Sequence, residues 1–192
     1  MSDALAMFLD RIAVGDDART EEAALALGHE GDAVLPALCD LLSDADPDQR
    51  WWAARALAAI GTQAAQERLV AVLADSDPYV RACAAQGLGA LRAAESVSDL
   101  VRCLADSSPL VARIAADSLA RIGSPAVPAL LVALEAKESP VRAGAARALS
   151  IIQPEEAIPA LCAALDDSSA MVSHYAELAL ERMGVGLVLF RP

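Results

Sequence analysis

Two adjacent tryptophans stand out among the side chains that could recognise a partner, because aromatic residues make up only 3% of this 192-residue chain. Neighbouring positions on a helix diverge by about 100°, so Trp51 and Trp52 cannot both enter one apolar core. Each Trp side chain carries roughly 150–250 Å² of surface that a partner could cover. We therefore predict a binding anchor at these residues. The alternative is that both rings pack against loops or against the acidic start of the chain.

Arginines supply the second kind of candidate contact. On a helix that recurs along the chain, Arg55, Arg113, Arg121 and Arg147 occupy positions turned away from the apolar stripe, and only Asp117 opposes them. Guanidinium groups bind carboxylates through paired hydrogen bonds, which favours an acidic segment of a protein partner. Solvated arginines and local salt bridges would account for the same residues. The predicted binding surface as a whole is Trp51, Trp52, Arg55, Gln86, Arg113, Asp117, Arg121, Arg147, His174 and Tyr175.

Catalytic and metal-binding chemistry is not predicted. The chain contains no Gly-rich phosphate loop, nucleophile elbow or zinc-ligand spacing. It has two histidines, His29 and His174, which are too few for a di-iron site built from several His-Glu pairs. We expect no catalytic residue, no metal and no cofactor.

Composition narrows the choice of partner and compartment. The formal net charge of −12 disfavours nucleic acid, which requires a basic surface. The first apolar run is interrupted by Asp10 and Arg11, so neither a signal peptide nor a membrane span is expected. Scattered cysteines favour buried, reduced thiols and a cytoplasmic protein. These cysteines are Cys39, Cys83, Cys103 and Cys162.

A helix that recurs every 30 or 31 residues positions these side chains. Its copies align on Arg50, Arg81, Ala112, Arg142 and Ser173, here called the ladder positions. Three residues after each ladder position the residue is Ala, seven after it is Leu, and ten after it is apolar, which is one stripe of a helix. Paired leucines mark a helix before each copy, so every repeat is predicted to be a helical hairpin.

Two further features recur with the helices. An Asp lies six residues before four of the ladder positions, where it could bond backbone N–H groups and pair with Arg in its own or the next repeat. We interpret this pattern as a structural Arg–Asp ladder. Pro36, Pro128 and Pro159 are expected to begin helices, because the first helical turn tolerates a missing N–H.

The motif resembles a known family. The stretches DPDQRWWAARALAAIG, DPYVRACAAQGLGAL and SPVRAGAARALSII resemble the short HEAT-like repeat first named from phycobilisome lyase subunits, over about residues 20–184. This resemblance implies a right-handed superhelical stack whose second helices line the concave side. The family includes scaffolds, lyase subunits and a few enzymes.

The predicted fold is therefore an all-α solenoid of about six hairpins in a single domain, residues 1–184. The first hairpin, with its acidic residues, is expected to cap the stack. The apolar tail, residues 185–192, is expected either to cover the last repeat or to form the edge of a homodimer or a larger assembly. Repeat boundaries fall at about 1–31, 32–61, 62–92, 93–123, 124–153 and 154–184.

A non-catalytic scaffold or assembly factor is the function that these observations favour. It would bind a protein segment in the concave groove. The alternative is a phycobilin lyase-like, chromophore-handling subunit, which the repeat type implies but for which no tetrapyrrole pocket is evident in the sequence.

Overall fold

The computed structural model describes residues 2–185, which contain twelve α-helices and no strand. The helices form six consecutive hairpins, and the prediction of an all-α solenoid is confirmed. The first three hairpins are α1 (Asp3–Val14) with α2 (Asp17–Ala26), α3 (Leu35–Leu41) with α4 (Pro47–Ile60), and α5 (Gln63–Val72) with α6 (Pro78–Ala90). The last three are α7 (Val97–Cys103) with α8 (Pro109–Ile122), α9 (Val127–Ala133) with α10 (Ser139–Ile152), and α11 (Ile158–Ala164) with α12 (Ala170–Arg182).

The helices fall into two compact units that divide between Leu91 and Arg92. The N-terminal unit holds α1 to α6 and the C-terminal unit holds α7 to α12. The single domain therefore stays a prediction. The predicted role of the tail lies outside the described residues, apart from Val185.

Local chemistry fixes where helices begin. The Asp46 side chain accepts a hydrogen bond from the backbone N–H of Asp48, and the Asp77 side chain accepts from Tyr79 and Val80, so each caps the helix that follows. Proline is in the first turn of α3, α9 and α11, which confirms that Pro36, Pro128 and Pro159 begin helices. No helix within residues 2–185 is long and apolar enough to cross a membrane.

Small side chains let neighbouring second helices pack closely. The predicted Ala and Leu stripe is buried throughout, from Ala53 and Leu57 in α4 to Ala176 and Leu180 in α12. At Gly87 of α6 an added Cβ would lie 2.8 Å from the Cβ of Ala58. A larger residue there would force α4 and α6 apart.

The Arg–Asp ladder is confirmed inside each unit. In the N-terminal unit Arg50 donates two hydrogen bonds to the Asp75 carboxylate of the next repeat, at 2.8 and 2.9 Å. In the C-terminal unit Arg142 does the same to Asp167, at 2.7 and 2.9 Å. Both pairs are largely shielded, with side chains 12–14% exposed. Each Arg also donates to two carbonyl groups of its own turn, so one side chain fastens two repeats.

We predict that Asp75→Asn destabilises the protein by about 1–2 kcal/mol near neutral pH, because hydrogen bonds to a charged group are lost. Burial would raise the pKa of Asp75, but hydrogen bonds from Arg50 and from the N–H of Asp77 outweigh it and lower that pKa. A lowered folded-state pKa gives stability that is complete above the unfolded pKa, about 4, and is lost as pH falls through the folded value. The stability gap between wild type and variant should therefore narrow in acid, as measured by urea unfolding across pH.

Asp44→Asn is the matched control. Asp44 occupies the same turn position and accepts the N–H of Asp46, but no Arg side chain bonds its carboxylate within the described chain. A loss of stability as large and as pH-dependent as that of Asp75→Asn would contradict the ladder.

Candidate binding surfaces

The second helices of the N-terminal unit enclose a groove of about 420 Å³ between α2, α4 and α6. Its floor is made of small residues, and its walls carry an aromatic ring, an ion pair and an amide. We call it the Trp51 groove. It is lined by Glu21, Trp51, Arg55, Ala58, Cys83, Gln86, Gly87 and Ala90.

The two tryptophans are held against each other rather than in the core. Both are half-buried, and their rings meet edge to face with centroids 4.8 Å apart and an interplanar angle of 89°. Trp51 lines the groove, whereas Trp52 does not. The Cys83 thiol donates to the Trp51 carbonyl across 3.8 Å, which ties α6 to the start of α4. The pair thus orients one Trp ring towards the hollow.

The prediction that no carboxylate lies opposite Arg55 is wrong. We expected only Asp117 to oppose the surface arginines, but the Arg55 guanidinium donates to the Glu21 carboxylate of α2. Glu21 is one of the acidic residues of the first hairpin, for which only a capping role was predicted, and it was missed as a groove residue. The register could have identified it, since Glu21 precedes Trp51 by 30 residues and occupies the same helical position.

Cys83 is a buried thiol on the groove floor. Burial raises its pKa to about 12, and the nearby Arg55 offsets this only in part. The prediction that all four cysteines are buried holds for Cys83 and Cys103, but Cys39 and Cys162 are half-buried. Both sit in short first helices, whose outer sides are open to solvent.

In the C-terminal unit, predicted residues gather around Arg147. Its guanidinium donates to the Asp117 carboxylate at 2.8 and 2.9 Å and to the Tyr175 hydroxyl at 3.1 Å. The same group lies 5.7 Å from the centre of the Tyr175 ring. Arg113 reaches Asp117 at 3.5 Å but is 54% exposed. The charges here are therefore paired within α8 and between α8 and α10, Tyr175 of α12 adds a neutral hydrogen bond, and Arg147 is not a free cation.

The remaining predicted residues lie elsewhere. Arg121 is exposed and joins neither group. His174 packs tilted against Tyr175, with ring centroids 5.5 Å apart, but it lines a separate hollow of about 640 Å³ between α11 and α12. Trp51, Arg55 and Gln86 thus share one groove, and Arg113, Asp117, Arg147 and Tyr175 share one network. A single groove that joins both sets stays a prediction.

Among residues 2–185 no three His, Cys, Asp or Glu side chains are grouped so that they could hold a metal ion. The carboxylates nearest the candidate surfaces are instead engaged by arginine, as for Glu21 and Asp117. The Trp51 groove and the surroundings of Arg147 present hydrogen-bonding groups, ion pairs and apolar surface.

Comparison with known proteins identifies the repeat. A family model described as HEAT repeats matches overlapping stretches at residues 5–88, 35–116, 66–134 and 103–181. The chain is similar to a crystallised engineered protein at 27% identity and a TM-score of 0.50, covering 97% of this chain and 98% of that one. It is also similar in fold to the complex of CpcE and CpcF of phycocyanin lyase from Nostoc sp. PCC7120, at 22% identity and a TM-score of 0.54, covering 77% and 98%. No curated protein matches it.

We predict that Cys83 reacts with thiol reagents at least about tenfold more slowly than Cys39 and Cys162, because only the thiolate attacks and burial keeps Cys83 protonated. Labelling at mildly alkaline pH followed by peptide mapping measures each rate. Preferential labelling of Cys83 would contradict both its burial and its raised pKa.

Replacing Arg147 with Met should lower the free energy of unfolding by about 1–2 kcal/mol, since it removes hydrogen bonds to Asp117 and Tyr175 from a partly shielded site. Arg121→Met removes the same charge from an exposed position of α8 and should change stability little. Denaturant unfolding compares them. Equal effects would show that the Arg147 network adds no stability.

Proposed function

This chain belongs to the HEAT repeat family, and from that premise we propose that it is a non-catalytic interaction scaffold that binds a protein segment along its second helices. The Trp51 groove carries this proposal. It combines an oriented aromatic ring with a floor of Ala58, Gly87 and Ala90, so that a partner side chain can enter. Binding sites of this kind depend on a few large anchors within complementary surroundings.

Polar groups around the floor suit a polypeptide rather than a purely apolar ligand. Gln86 is exposed and lines the groove, so its amide can both donate to and accept from a peptide backbone. Arg55 retains donors beyond the one that Glu21 engages. An extended segment could therefore place one small or medium apolar side chain on the floor and satisfy its backbone at the walls.

Trp51 contributes less area than a fully exposed ring would, because it is already half-buried. If roughly 80 Å² of it remains open to a partner, covering that area contributes about 2 kcal/mol. This corresponds to about a thirtyfold change in affinity. The anchor is thus substantial but needs neighbouring contacts.

The acidic partner segment predicted from the arginines has weaker support than the groove itself. Arg55 and Arg147 are both paired with carboxylates, so an acidic segment would compete with Glu21 or Asp117. The proposed partner is therefore a protein segment, and these arginines do not determine its charge. Four free cysteines fit a reducing compartment, and we propose a cytoplasmic location.

The chromophore-handling alternative rests on fold likeness alone. Its test is simple: the appearance of a red-shifted bilin absorption band on mixing with free phycocyanobilin would favour it over the scaffold.

Selection of peptides from a random displayed library on the immobilised chain tests the proposal. We expect selected peptides to lose about thirtyfold in affinity on Trp51→Ala, and to lose more on Ala90→Trp, which places an indole in the groove. Fluorescence anisotropy with synthetic copies of the peptides gives the dissociation constants.

Ala71→Trp serves as the control, because Ala71 is an exposed alanine of α5 and does not line the groove. Circular dichroism of each variant checks that it is folded. If the selected peptides bind Ala90→Trp and Ala71→Trp equally well, the groove is not the binding site.

A further inference from the structure

A second, smaller hollow adjoins the Trp51 groove. It measures about 270 Å³ and lies where α4 and α6 begin, and Trp51 lines both hollows. We call it the Tyr79 notch. Its lining is Pro47, Asp48, Trp51, Asp77, Tyr79 and Val80. This volume is below the usual range for small-molecule sites, about 300–1,000 Å³, and suits one side chain.

Two aromatic rings and two carboxylates make up the chemistry of the notch. The Tyr79 side chain is a large ring held 66% exposed. Asp48 is exposed, and within the part of the chain that the structure describes no cation pairs with its carboxylate. Asp77 uses one oxygen to cap α6, accepting from Tyr79 at 2.8 Å and Val80 at 3.3 Å. Aromatic faces beside carboxylates attract a cation by both charge and ring quadrupole.

Nearby positive groups do not cancel this attraction. Arg50 lies close enough to Asp77 to be influenced by its charge, but its guanidinium is bonded to Asp75 and to the carbonyls of Asp44 and Ala45. The first turns of α4 and α6 are positive, and their caps Asp46 and Asp77 satisfy N–H groups there. The N-terminal unit as a whole carries fifteen Asp or Glu against six Arg, a formal net charge of −9.

The corresponding positions in the C-terminal unit have a different character. Where the N-terminal unit has Tyr79, two residues before its ladder position, later repeats have Leu110, Pro140 and Met171. Where it has Trp51, they have Arg113, Ala143 and His174. No later repeat has Tyr or Trp at either position, so the two rings are particular to one place in a repeated scaffold, and the repeat itself does not require them.

We propose that the Tyr79 notch receives a lysine or arginine side chain of the bound protein segment. This inference rests on the proposed function, because the same segment continues past Trp51 into the groove. The cationic head lies between the Asp48 and Asp77 carboxylates and against the Tyr79 and Trp51 rings, and the aliphatic stem crosses the exposed Pro47. The partner is thus a basic segment with a small apolar residue beside its Lys or Arg.

A defined peptide tests the charge requirement. The probe is an acetylated, amidated peptide of Gly and Ala with one Leu and two Arg, compared with copies in which both Arg are citrulline or Glu. Citrulline keeps the shape of Arg and removes its charge. We expect the Arg peptide to bind, the citrulline copy to bind at least about fivefold more weakly, and the Glu copy to bind weakest, with affinity falling as salt rises. Calorimetry or tryptophan fluorescence measures this.

Variants locate the site. Tyr79→Ala and Asp48→Asn should each weaken Arg-peptide binding about two- to fivefold, while Tyr79→Phe, which keeps the ring face, should bind as wild type does. Glu67→Gln removes one negative charge from an exposed position of α5 and controls for net charge. Because Tyr79 and Asp48 are exposed, both variants are expected to fold, and circular dichroism checks this.

Several outcomes would overturn the inference. One is equal affinity for the Arg and citrulline peptides, another is tightest binding of the Glu peptide, and a third is an effect of Asp48→Asn no larger than that of Glu67→Gln. The proposed function is tested separately. If library-selected peptides contain no Lys or Arg, bind more weakly to Trp51→Ala and bind normally to Tyr79→Ala, the groove is supported as a binding site and the notch is contradicted.

Discussion

Close packing between consecutive second helices within each unit is the constraint on which the rest of the structure depends. Two adjacent alanines of each of α4, α6, α8 and α10, such as Ala53 and Ala54 or Ala84 and Ala85, are completely buried. With so little side chain between them, neighbouring helices approach until even Gly87 has no room for a Cβ. Side chains on the outer positions of adjacent helices then meet, which is how α2, α4 and α6 contribute to one groove.

Within each unit, charge pairing fastens one repeat to the next, and one interruption shows that the ladder acts in pairs. Arg50 bonds the Asp75 carboxylate while Arg81 bonds the carbonyls of Asp75 and Ser76, so this turn is held from both sides. In the C-terminal unit the ladder position Ala112 lacks Arg, and the acceptor position of the next repeat, Ala136, lacks Asp. A shielded carboxylate without its Arg would be costly, so both members are absent together.

The sequence was sufficient for the hairpins but not for the pairing of their outer side chains. Strict recurrence of Ala and Leu defines helix faces, and Asp with Pro defines helix starts, so the architecture and the ladder were predictable. Periodicity could have placed Glu21 on the groove side of α2, but whether Arg55 bonds it depends on how far one helix is shifted along the next, which periodicity does not determine. Residue types also did not predict that Cys39 is half-buried. Nor did they predict the division beside Arg92, whose backbone φ of 51° is unusual for a residue with a side chain.

Hollows in such a scaffold arise from differences in size between consecutive repeats. The large ring of Trp51 in α4 lies beside small residues of α6, the next second helix, where Cys83 and Gly87 leave space. At Gly144 of α10 the space is instead filled, since Leu104 lies where a Cβ would be, at 2.8 Å. Because the buried alanine and leucine stripe keeps consecutive second helices of one unit closely packed, a single exchange of a large for a small outer residue opens a cavity without disturbing the core. Binding specificity can therefore change at one repeat while the stability of its neighbours is kept.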